Sequence, residues 1–327
     1  MSTDRIVAVT MGDPTGIGPE IVAKVFGEDG ARRALVVGDV AMMRRAIDLL
    51  GLPLRVNPVE RPADARFAPG CVDVLAATDL PRDLPYGAVD PRGGGAAYEY
   101  VRRAVELALH DDVHAIATAP LNKEAMHLAG FRYPGHTEVL AALTGAEDYA
   151  MMLVTDELRV VHVSTHVALS EAIRRVQPER ELTVIRLADR SLRALGVERP
   201  RVAVAGLNPH AGEAGLFGTE DRDAIAPAVE EARAEGIDAS GPWPPDTVFT
   251  QARQGRFDVV VVQYHDQGHI PIKLMGFDTG VNVTVGLPFF RTSVDHGTAF
   301  DIAGTGRADH ASMRAALDLA ASLARPG

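Results

Sequence analysis

The sequence has very little cysteine and no long apolar segment, and each shortage excludes a class of protein. A single cysteine, Cys71, among 327 residues excludes an internal disulfide framework and a cysteine-rich metal site. No apolar run approaches the roughly 20 residues that a membrane-spanning helix requires. The opening residues, MSTDRIVAVTMGDPTG, lack the basic, apolar and small-residue regions of a signal peptide. We therefore expect a cytoplasmic protein with no membrane partner.

Basic residues are also scarce relative to acidic ones. The chain has 33 Lys and Arg against 44 Asp and Glu, which gives a formal net charge of -11. Because nucleic-acid binding depends on dense Lys and Arg that neutralise phosphates, this balance argues against a nucleic-acid partner. An anionic substrate remains compatible with it, provided that a few local cations inside a cleft hold the anion.

Short runs rich in Val and Ile alternate with segments of helical spacing, and this pattern predicts a layered α/β fold. The predicted strands are Ile6–Val9, Ala34–Val37, Ala115–Ala117, Arg159–Val163, Val202–Ala205 and Val259–Val262. The predicted helices are Pro19–Phe26, Ala96–Leu109, Glu179–Leu195, Arg222–Glu235 and Ala311–Ala324. Several strands are apolar throughout, as expected for parallel strands covered on both faces by helices. Residues 61–95 and 239–247 are rich in proline and glycine and are predicted to be loops.

Three histidines follow three of the predicted strands. His166 closes RVVHVSTH, His210 closes RVAVAGLNPH and His265 closes FDVVVVQYH. The carboxyl ends of parallel strands share one edge of the sheet, where ligands bind. Three imidazoles with open positions suit a catalytic divalent metal, which can polarise a hydroxyl as hydride leaves. The alternative, that each histidine caps a loop, stays open because spacing does not show that the strands are neighbours.

Glycine-rich and polar segments supply candidates for anion binding. Gly12–Glu20, GDPTGIGPE, leads into a helix whose N-terminus attracts negative charge, although a tight strand-to-helix turn explains its glycines equally well. Arg291 offers a fork of donors for phosphate or carboxylate, and Lys273 is a candidate phosphate donor or general base. His136 and Thr137 stand at a predicted helix N-terminus that favours phosphate.

Seven longer segments carry a resemblance that spans nearly the whole chain: GDPTGIGPE, TAPLNKEA, GHTE, GLNPHAGEAGLFG, GPWPPDT, YHDQGHIPIK and VNVTVGLPFFRTSVDHGTAFDIAG. They resemble the NAD-dependent 4-hydroxythreonine-4-phosphate dehydrogenases of vitamin B6 biosynthesis and close relatives that act on 4-phospho-threonate or 4-phospho-erythronate. GIGPE and HGTAFDIAG are also similar to segments of isopropylmalate and isocitrate dehydrogenases. This likeness implies two α/β/α layered domains with a cleft between them, formed by residues 1–130 with 296–327 and by residues 131–295. The second domain is expected to carry most metal and substrate residues.

The resemblance implies roles residue by residue. The family's metal ligands match His166, His210 and His265. Its substrate contacts match His136, Thr137, Lys273, Asn282 and Arg291. The isopropylmalate-type relatives imply NAD contacts at His296, Gly297, Thr298, Ala299 and Asp301. Expected cofactors are NAD, with NADP as the alternative, and one divalent metal per site, zinc first and magnesium, cobalt or manganese as alternatives. The resemblance also implies a homodimer whose subunits share active sites.

The implied reaction oxidises the secondary alcohol of a 4-phosphorylated C4 acid, of the 4-hydroxythreonine-4-phosphate type, with β-decarboxylation of the keto acid and Lys273 as candidate base. One departure keeps the substrate open. HDQG continues with His269, Ile270 and Pro271, as in the threonate and erythronate branch, so a 4-phospho-D-threonate or D-erythronate 3-dehydrogenase is the alternative. A metal-dependent phosphatase or aldolase without NAD, and a non-catalytic phosphosugar sensor, are hypotheses from other classes.

Overall fold

The computed structural model describes residues 5–28, 33–275 and 280–323. The strands in these ranges are β1 Val7–Thr10, β2 Ala34–Gly38, β3 Arg55–Val59, β4 Cys71–Ala76, β5 Ala115–Thr118, β6 Ala150–Val154, β7 Arg159–His162, β8 Arg201–Ala205, β9 Asp238–Trp243, β10 Val259–Val262, β11 Val281–Val285 and β12 Phe290–Ser293. The α-helices are α1 Gly18–Gly27, α2 Val40–Leu50, α3 Pro91–Leu109, α4 Lys123–Leu128, α5 His136–Thr144, α6 Leu169–Arg175, α7 Pro178–Ala194, α8 Ala226–Ala234, α9 Val248–Arg253, α10 His265–Met275 and α11 Ala311–Leu323. No helix in the described ranges is both long and apolar enough to span a membrane.

The first of two compact units comprises Met1–Ala146 and Leu287–Pro326. Its strand order is β3-β4-β2-β1-β5-β12, and the neighbouring strands pair in parallel. Central strands such as β2 are buried at every position, because helices cover a parallel sheet on both faces. The parallel register places Thr10, Thr118 and Ser293 side by side at the carboxyl edge of β1, β5 and β12. Polar side chains of the first unit therefore meet at the edge where α/β sheets bind ligands.

The second unit comprises residues Glu147–Gly286. Its strand order is β11-β6-β7-β10-β8-β9, with β6 antiparallel to both of its neighbours and the other pairs parallel. The carboxyl ends of β7, β10 and β8, three consecutive neighbours, lead to His166, His265 and His210. The spacing of the histidines along the chain did not show whether their strands are neighbours, and in the structure these three strands are neighbours.

The α/β prediction is confirmed, and the six predicted strands are all present within a residue or so of their expected bounds. The prediction of loops at residues 61–95 and 239–247 is wrong in part. Residues 61–95 contain β4 and the first turn of α3, and residues 239–247 contain most of β9. The compact units of the structure meet at residues 146/147 and 286/287. The domain limits predicted from the sequence, 1–130 with 296–327 and 131–295, remain a prediction.

The glycine triplet at positions 93–95 lies inside α3 for a steric reason. The Asp90 side chain caps the helix by accepting the Arg92 N–H at 2.8 Å, and Pro91 occupies the first turn. A Cβ built on Gly94 would lie 2.1 Å from the backbone carbon of Ala125 on α4. Glycine at 94 therefore allows the backbones of α3 and α4 to come into contact. From composition alone, the same glycine triplet predicts a loop.

Candidate active site

A buried arginine marks the candidate anion site of the first unit. Arg291 lies on β12, not in a loop, and its side chain is only 2% exposed. Its Nε and Nη2 donate to Oγ1 of Thr118, on the neighbouring strand β5, at 3.1 and 2.7 Å. Burial lowers the pKa of the guanidinium to about 9, and the Glu138 carboxylate opposes that shift. Arg291 consequently stays charged at neutral pH and is held in place by the adjacent strand.

His136 begins α5 and is a neutral hydrogen-bonding group at this site. Burial, followed by the nearby charges of Arg291 and Lys123, lowers its pKa well below the usual value. Its Nε2 is inaccessible to solvent and has no hydrogen-bond partner among the described residues. Thr137 follows it in the first turn of α5, where backbone N–H groups lack intrahelical partners. The turn combines an unpartnered imidazole nitrogen, a hydroxyl and the positive end of a helix dipole.

Sequence reasoning missed two residues of this neighbourhood. Thr118, the acceptor for Arg291, is a β5 residue whose position beside β12 follows only from the sheet order. Lys123 begins α4 and influences the pKa of His136. The one available signal was the segment TAPLNKEA, which begins with Thr118 and also contains the lysine.

In the second unit, two of the three predicted metal ligands are close together. The rings of His166 and His265 lie 5.4 Å apart between centroids. The three predicted ligands lie beyond the ends of their strands: β7 ends at His162, β8 at Ala205 and β10 at Val262. Among the described residues of one chain, no group of three His, Cys, Asp or Glu could hold a metal ion. The three-histidine site therefore stays a prediction.

His265 has the surroundings of a metal ligand. Its Nδ1 lies 2.6 Å from Oδ1 of Asp266, and a carboxylate at one ring nitrogen orients the ring and leaves Nε2 as the nitrogen for a metal, as in many metal-bound histidines. The ring of His269 stacks on it at 3.6 Å with an interplanar angle of 11°. His269 Nδ1 also lies 2.9 Å from the His265 carbonyl oxygen. An imidazole donor set of this kind fits zinc and similar divalent metals.

His210 is exposed and belongs to a run of left-handed backbone. Residues 210 to 214 have φ angles of 54°, 56°, 78°, 39° and 56°, although only Gly212 is a glycine. Asp221, 2% exposed, holds the preceding residues by accepting Leu207 N at 2.8 Å, Asn208 N at 3.2 Å and Asn208 Nδ2 at 2.8 Å. The position of His210 thus depends on a buried carboxylate eleven residues further along the chain.

Two other predicted substrate residues lie in the second unit. Lys273 is an exposed residue in the last turn of α10. Asn282 lies on β11, where its Nδ2 is 3.2 Å from Sδ of Met151 and its Oδ1 is buried with no partner in the part of the chain that the structure describes. An unpartnered buried amide oxygen is costly unless a ligand or water satisfies it.

The predicted NAD segment follows β12 in the first unit. His296, Gly297 and Asp301 are exposed, while Thr298 is buried and its carbonyl accepts the Ile17 N–H at 3.0 Å. Ala299 has a φ of 41°. The segment is therefore an exposed loop anchored at one buried position.

The segment Gly12–Glu20 anchors this loop and is not itself open to a ligand. All nine of its residues are buried. Glu20 accepts the N–H groups of Gly304 and Gly306 at 2.5 and 2.9 Å. Of the two interpretations of GDPTGIGPE, the structure favours the tight strand-to-helix turn.

Comparison with known proteins places the chain in one family. The family model described as pyridoxal phosphate biosynthetic protein PdxA matches residues 30–320. The chain is 54% identical over 325 residues to D-threonate 4-phosphate dehydrogenase of Salmonella typhimurium, covering 98% of this chain and 99% of that one. It is 52% identical over 324 residues to 4-hydroxythreonine-4-phosphate dehydrogenase of Beijerinckia indica subsp. indica, covering 99% and 96% of the two chains.

A solved structure supports the same assignment. The 4-hydroxythreonine-4-phosphate dehydrogenase from Klebsiella pneumoniae superposes with a TM-score of 0.93 at 51% identity, covering 98% of this chain and 100% of that one. The predicted family resemblance is confirmed by both kinds of comparison. The chain belongs to the PdxA family of dehydrogenases.

Proposed function

We propose that this protein oxidises the secondary alcohol of a 4-phosphorylated four-carbon acid with NAD, assisted by a divalent metal, and that the resulting β-keto acid loses carbon dioxide. The observation that carries the proposal is the buried Arg291 beside His136 at the start of α5, since both groups suit a phosphate. The names of the relatives at 54% and 52% identity, both dehydrogenases of 4-phosphorylated acids, support it.

Phosphate recognition would orient the substrate away from the reacting carbon. Arg291, fixed by Thr118, supplies charge, and His136 with Thr137 supplies neutral hydrogen bonds. Holding a remote group in this way converts binding energy into alignment of the reacting atoms. Asn282, with its unpartnered Oδ1, is proposed as a further substrate contact.

The proposed metal ligands are His166, His210 and His265, with zinc expected and magnesium, cobalt or manganese as alternatives. A bound divalent ion would supply Lewis acidity for hydroxyl ionisation and for the later decarboxylation. Lys273 would take the hydroxyl proton, while the exposed loop that contains His296, Gly297, Thr298, Ala299 and Asp301 would contact NAD, or NADP in the alternative case. NAD would accept the hydride, with the electron pair of the C–H bond, so the substrate carbon would become a ketone beta to the carboxylate.

One observation favours the threonate alternative to 4-hydroxythreonine-4-phosphate. His269, at the position where the sequence departs towards the threonate and erythronate branch, is 6% exposed and stacks on His265. The residue that carries the resemblance to the threonate and erythronate branch thus touches a proposed metal ligand. Identity does not separate the two substrates, because relatives with either name are about equally similar.

A homodimer with shared active sites is part of the proposal. Each proposed metal ligand is followed along the chain, within six residues, by an exposed large apolar side chain: Leu169 is 58% exposed, Leu216 71% and Ile270 58%. Exposed large apolar side chains that form a contiguous patch are typical of an association surface. A second subunit would cover them, and it would also complete a metal site that one chain's described residues do not form. A reducing location, the cytoplasm, fits the single cysteine.

The test is turnover of purified protein with NAD, with and without zinc or magnesium. The panel contains 4-hydroxythreonine-4-phosphate, D-threonate 4-phosphate and D-erythronate 4-phosphate, and NADH and carbon dioxide are measured together. We expect stoichiometric NADH and carbon dioxide with at least one of these acids, and loss of both after chelation. Release of inorganic phosphate or carbon–carbon cleavage without NADH would instead support the phosphatase or aldolase hypothesis and overturn the proposal.

A further inference from the structure

The charge balance of the candidate phosphate site is incomplete without Lys123. A phosphate monoester carries a charge of roughly -1.5 to -2 at neutral pH. Arg291 supplies one positive charge, and the start of α5 supplies a partial one of about half a unit. His136 supplies none, because its pKa is well below the usual value, and Glu138 adds a negative charge close by. A second full cation is needed to match the ligand.

Lys123 lies where that cation is required. A Cβ built on Gly135, the residue before His136, would be 3.7 Å from Lys123 Cε and 4.0 Å from its Nζ. The same point is 3.4 Å from Oε2 of Glu138. The ammonium group therefore lies beside the backbone that enters α5.

The backbone of Lys123 is fixed while its side chain remains available. Asn122 caps α4 by accepting the Ala125 N–H at 2.8 Å, which sets the position of the first helical residue. The side chain of Lys123 is exposed and makes no hydrogen bond or ion pair within the described part of the chain. A well-placed cation without a protein partner is suited to a ligand.

Lysine is an unusual choice of cation in this protein. The chain has three lysines, Lys24, Lys123 and Lys273, and the rest of its 33 basic residues are arginines. Lys24 is occupied with the carbonyl oxygens of Gly306 and Ala308, at 2.8 and 2.6 Å. Lysine presents a compact point charge, whereas arginine presents a wide planar fork. Lys123 therefore places a point charge, not a planar fork, beside Gly135.

We propose that Lys123 binds the substrate's phosphate together with Arg291 and the start of α5, and that it sets the preference for phosphorylated over unphosphorylated acids. This inference rests on the proposed function, which places the phosphate at this site. Lys123 is a binding residue and takes no part in the proton or hydride transfer.

The test compares Lys123→Met, Lys123→Arg and the control Arg132→Met, which removes an exposed charge three residues before Gly135. For Lys123→Met we expect KM for D-threonate 4-phosphate to rise roughly 10- to 100-fold with little change in kcat, as for lost uniform binding. The inhibition constant of inorganic phosphate should rise by a similar factor, and kcat/KM for D-threonate should not change. Lys123→Arg should recover much of the affinity, and Arg132→Met should resemble the wild type.

An unchanged KM and unchanged phosphate inhibition in Lys123→Met would overturn the inference. Equal losses with D-threonate and its phosphate would do so too, since a general structural defect affects both. Calorimetric titration with inorganic phosphate needs neither NAD nor turnover. It therefore tests the phosphate-binding role of Lys123 separately from the proposed reaction. If the wild type oxidises none of the acids, the proposed function fails, while a Lys123-dependent phosphate affinity would still support the binding role.

Discussion

At the scale of single residues, Glu181 on α7 stands out as a carboxyl group that is fully buried. Burial raises its pKa to about 8, against opposing effects of Gln263 and Arg180. Gln263 Nε2 lies 3.4 Å from Oε2 and also donates to the Ala205 carbonyl at 2.9 Å, while Oε1 has no partner among the described residues. Glu181 is therefore protonated at neutral pH, and its neighbour Gln263 links the ends of β10 and β8, the strands that lead to His265 and His210.

This burial predicts a specific pH dependence of stability. Between the usual carboxyl pKa near 4.5 and the folded value near 8, the folded chain holds a proton that the unfolded chain has released. The unfolding free energy therefore falls as pH rises through that window, by at most about 5 kcal/mol from this group. Glu181→Gln should remove much of the decline, as measured by urea denaturation at pH 5, 6.5 and 8.

The matched control is Glu179→Gln, an exposed carboxyl in the same first turn of α7. It should leave the slope of stability against pH as in the wild type. If the slope of Glu181→Gln also equals that of the wild type, Glu181 is ionised in the folded protein and the assignment is wrong.

At the scale of elements, the turn that contains His210 depends on a hydrogen-bonding partner outside the turn. Left-handed backbone costs roughly 1 to 2 kcal/mol for each non-glycine residue, and four such residues occur in succession with Gly212. Asp221, at the start of the π-helical turn Asp221–Ile225, supplies three compensating hydrogen bonds. The local backbone and the buried carboxylate thus depend on each other.

Asp221→Ala should accordingly lower the unfolding free energy by about 2 to 4 kcal/mol, because buried N–H groups lose their acceptor. Hydrogen exchange at the amides of Leu207 and Asn208 should accelerate, and this can be followed by mass spectrometry. Asp223→Ala, which removes an exposed carboxylate that pairs with its neighbour Arg222, is the control and should change stability by no more than about 0.5 kcal/mol. Equal effects of the two substitutions would contradict the role given to Asp221.

At the scale of the whole molecule, the proposed homodimer joins oligomeric state to metal binding. Leu216 is 71% exposed and follows the left-handed turn that contains His210. If a second subunit covers this surface, Leu216→Glu should place a charge in the interface. We expect the variant to sediment as a monomer at micromolar concentration and to bind zinc more weakly in the same samples.

Leu128→Glu provides the comparison for that experiment, since Leu128 is 62% exposed and belongs to the other unit. It should keep the wild-type mass and zinc affinity. A wild-type protein that is monomeric at all concentrations would remove the basis for shared active sites. A Leu216→Glu variant that stays dimeric would show that the interface lies elsewhere.

Strongly apolar strands were the part of the fold that local sequence could predict. Local sequence predicts strands at Val259–Val262 and Ala34–Val37, because four consecutive apolar residues between polar turns are typical of a parallel strand covered on both faces. Local sequence does not predict the strands Cys71–Ala76 and Asp238–Trp243, because the proline and glycine around them are typical of turns. Their strand conformation comes from pairing with β3, β2 and β8, which no local window contains.

Motifs long enough to exclude chance are sufficient to assign the family, and residue type and position predict Arg291, His136 and the three histidines as site residues. Three contacts are visible only in the folded chain: Thr118 holds Arg291, Lys123 lies beside Gly135, and Asp221 supports the turn around His210. The physical reason is that residue type and periodicity act locally along the chain. Burial, charge balance and hydrogen-bond partners, in contrast, arise between segments that become neighbours only when the sheets are assembled.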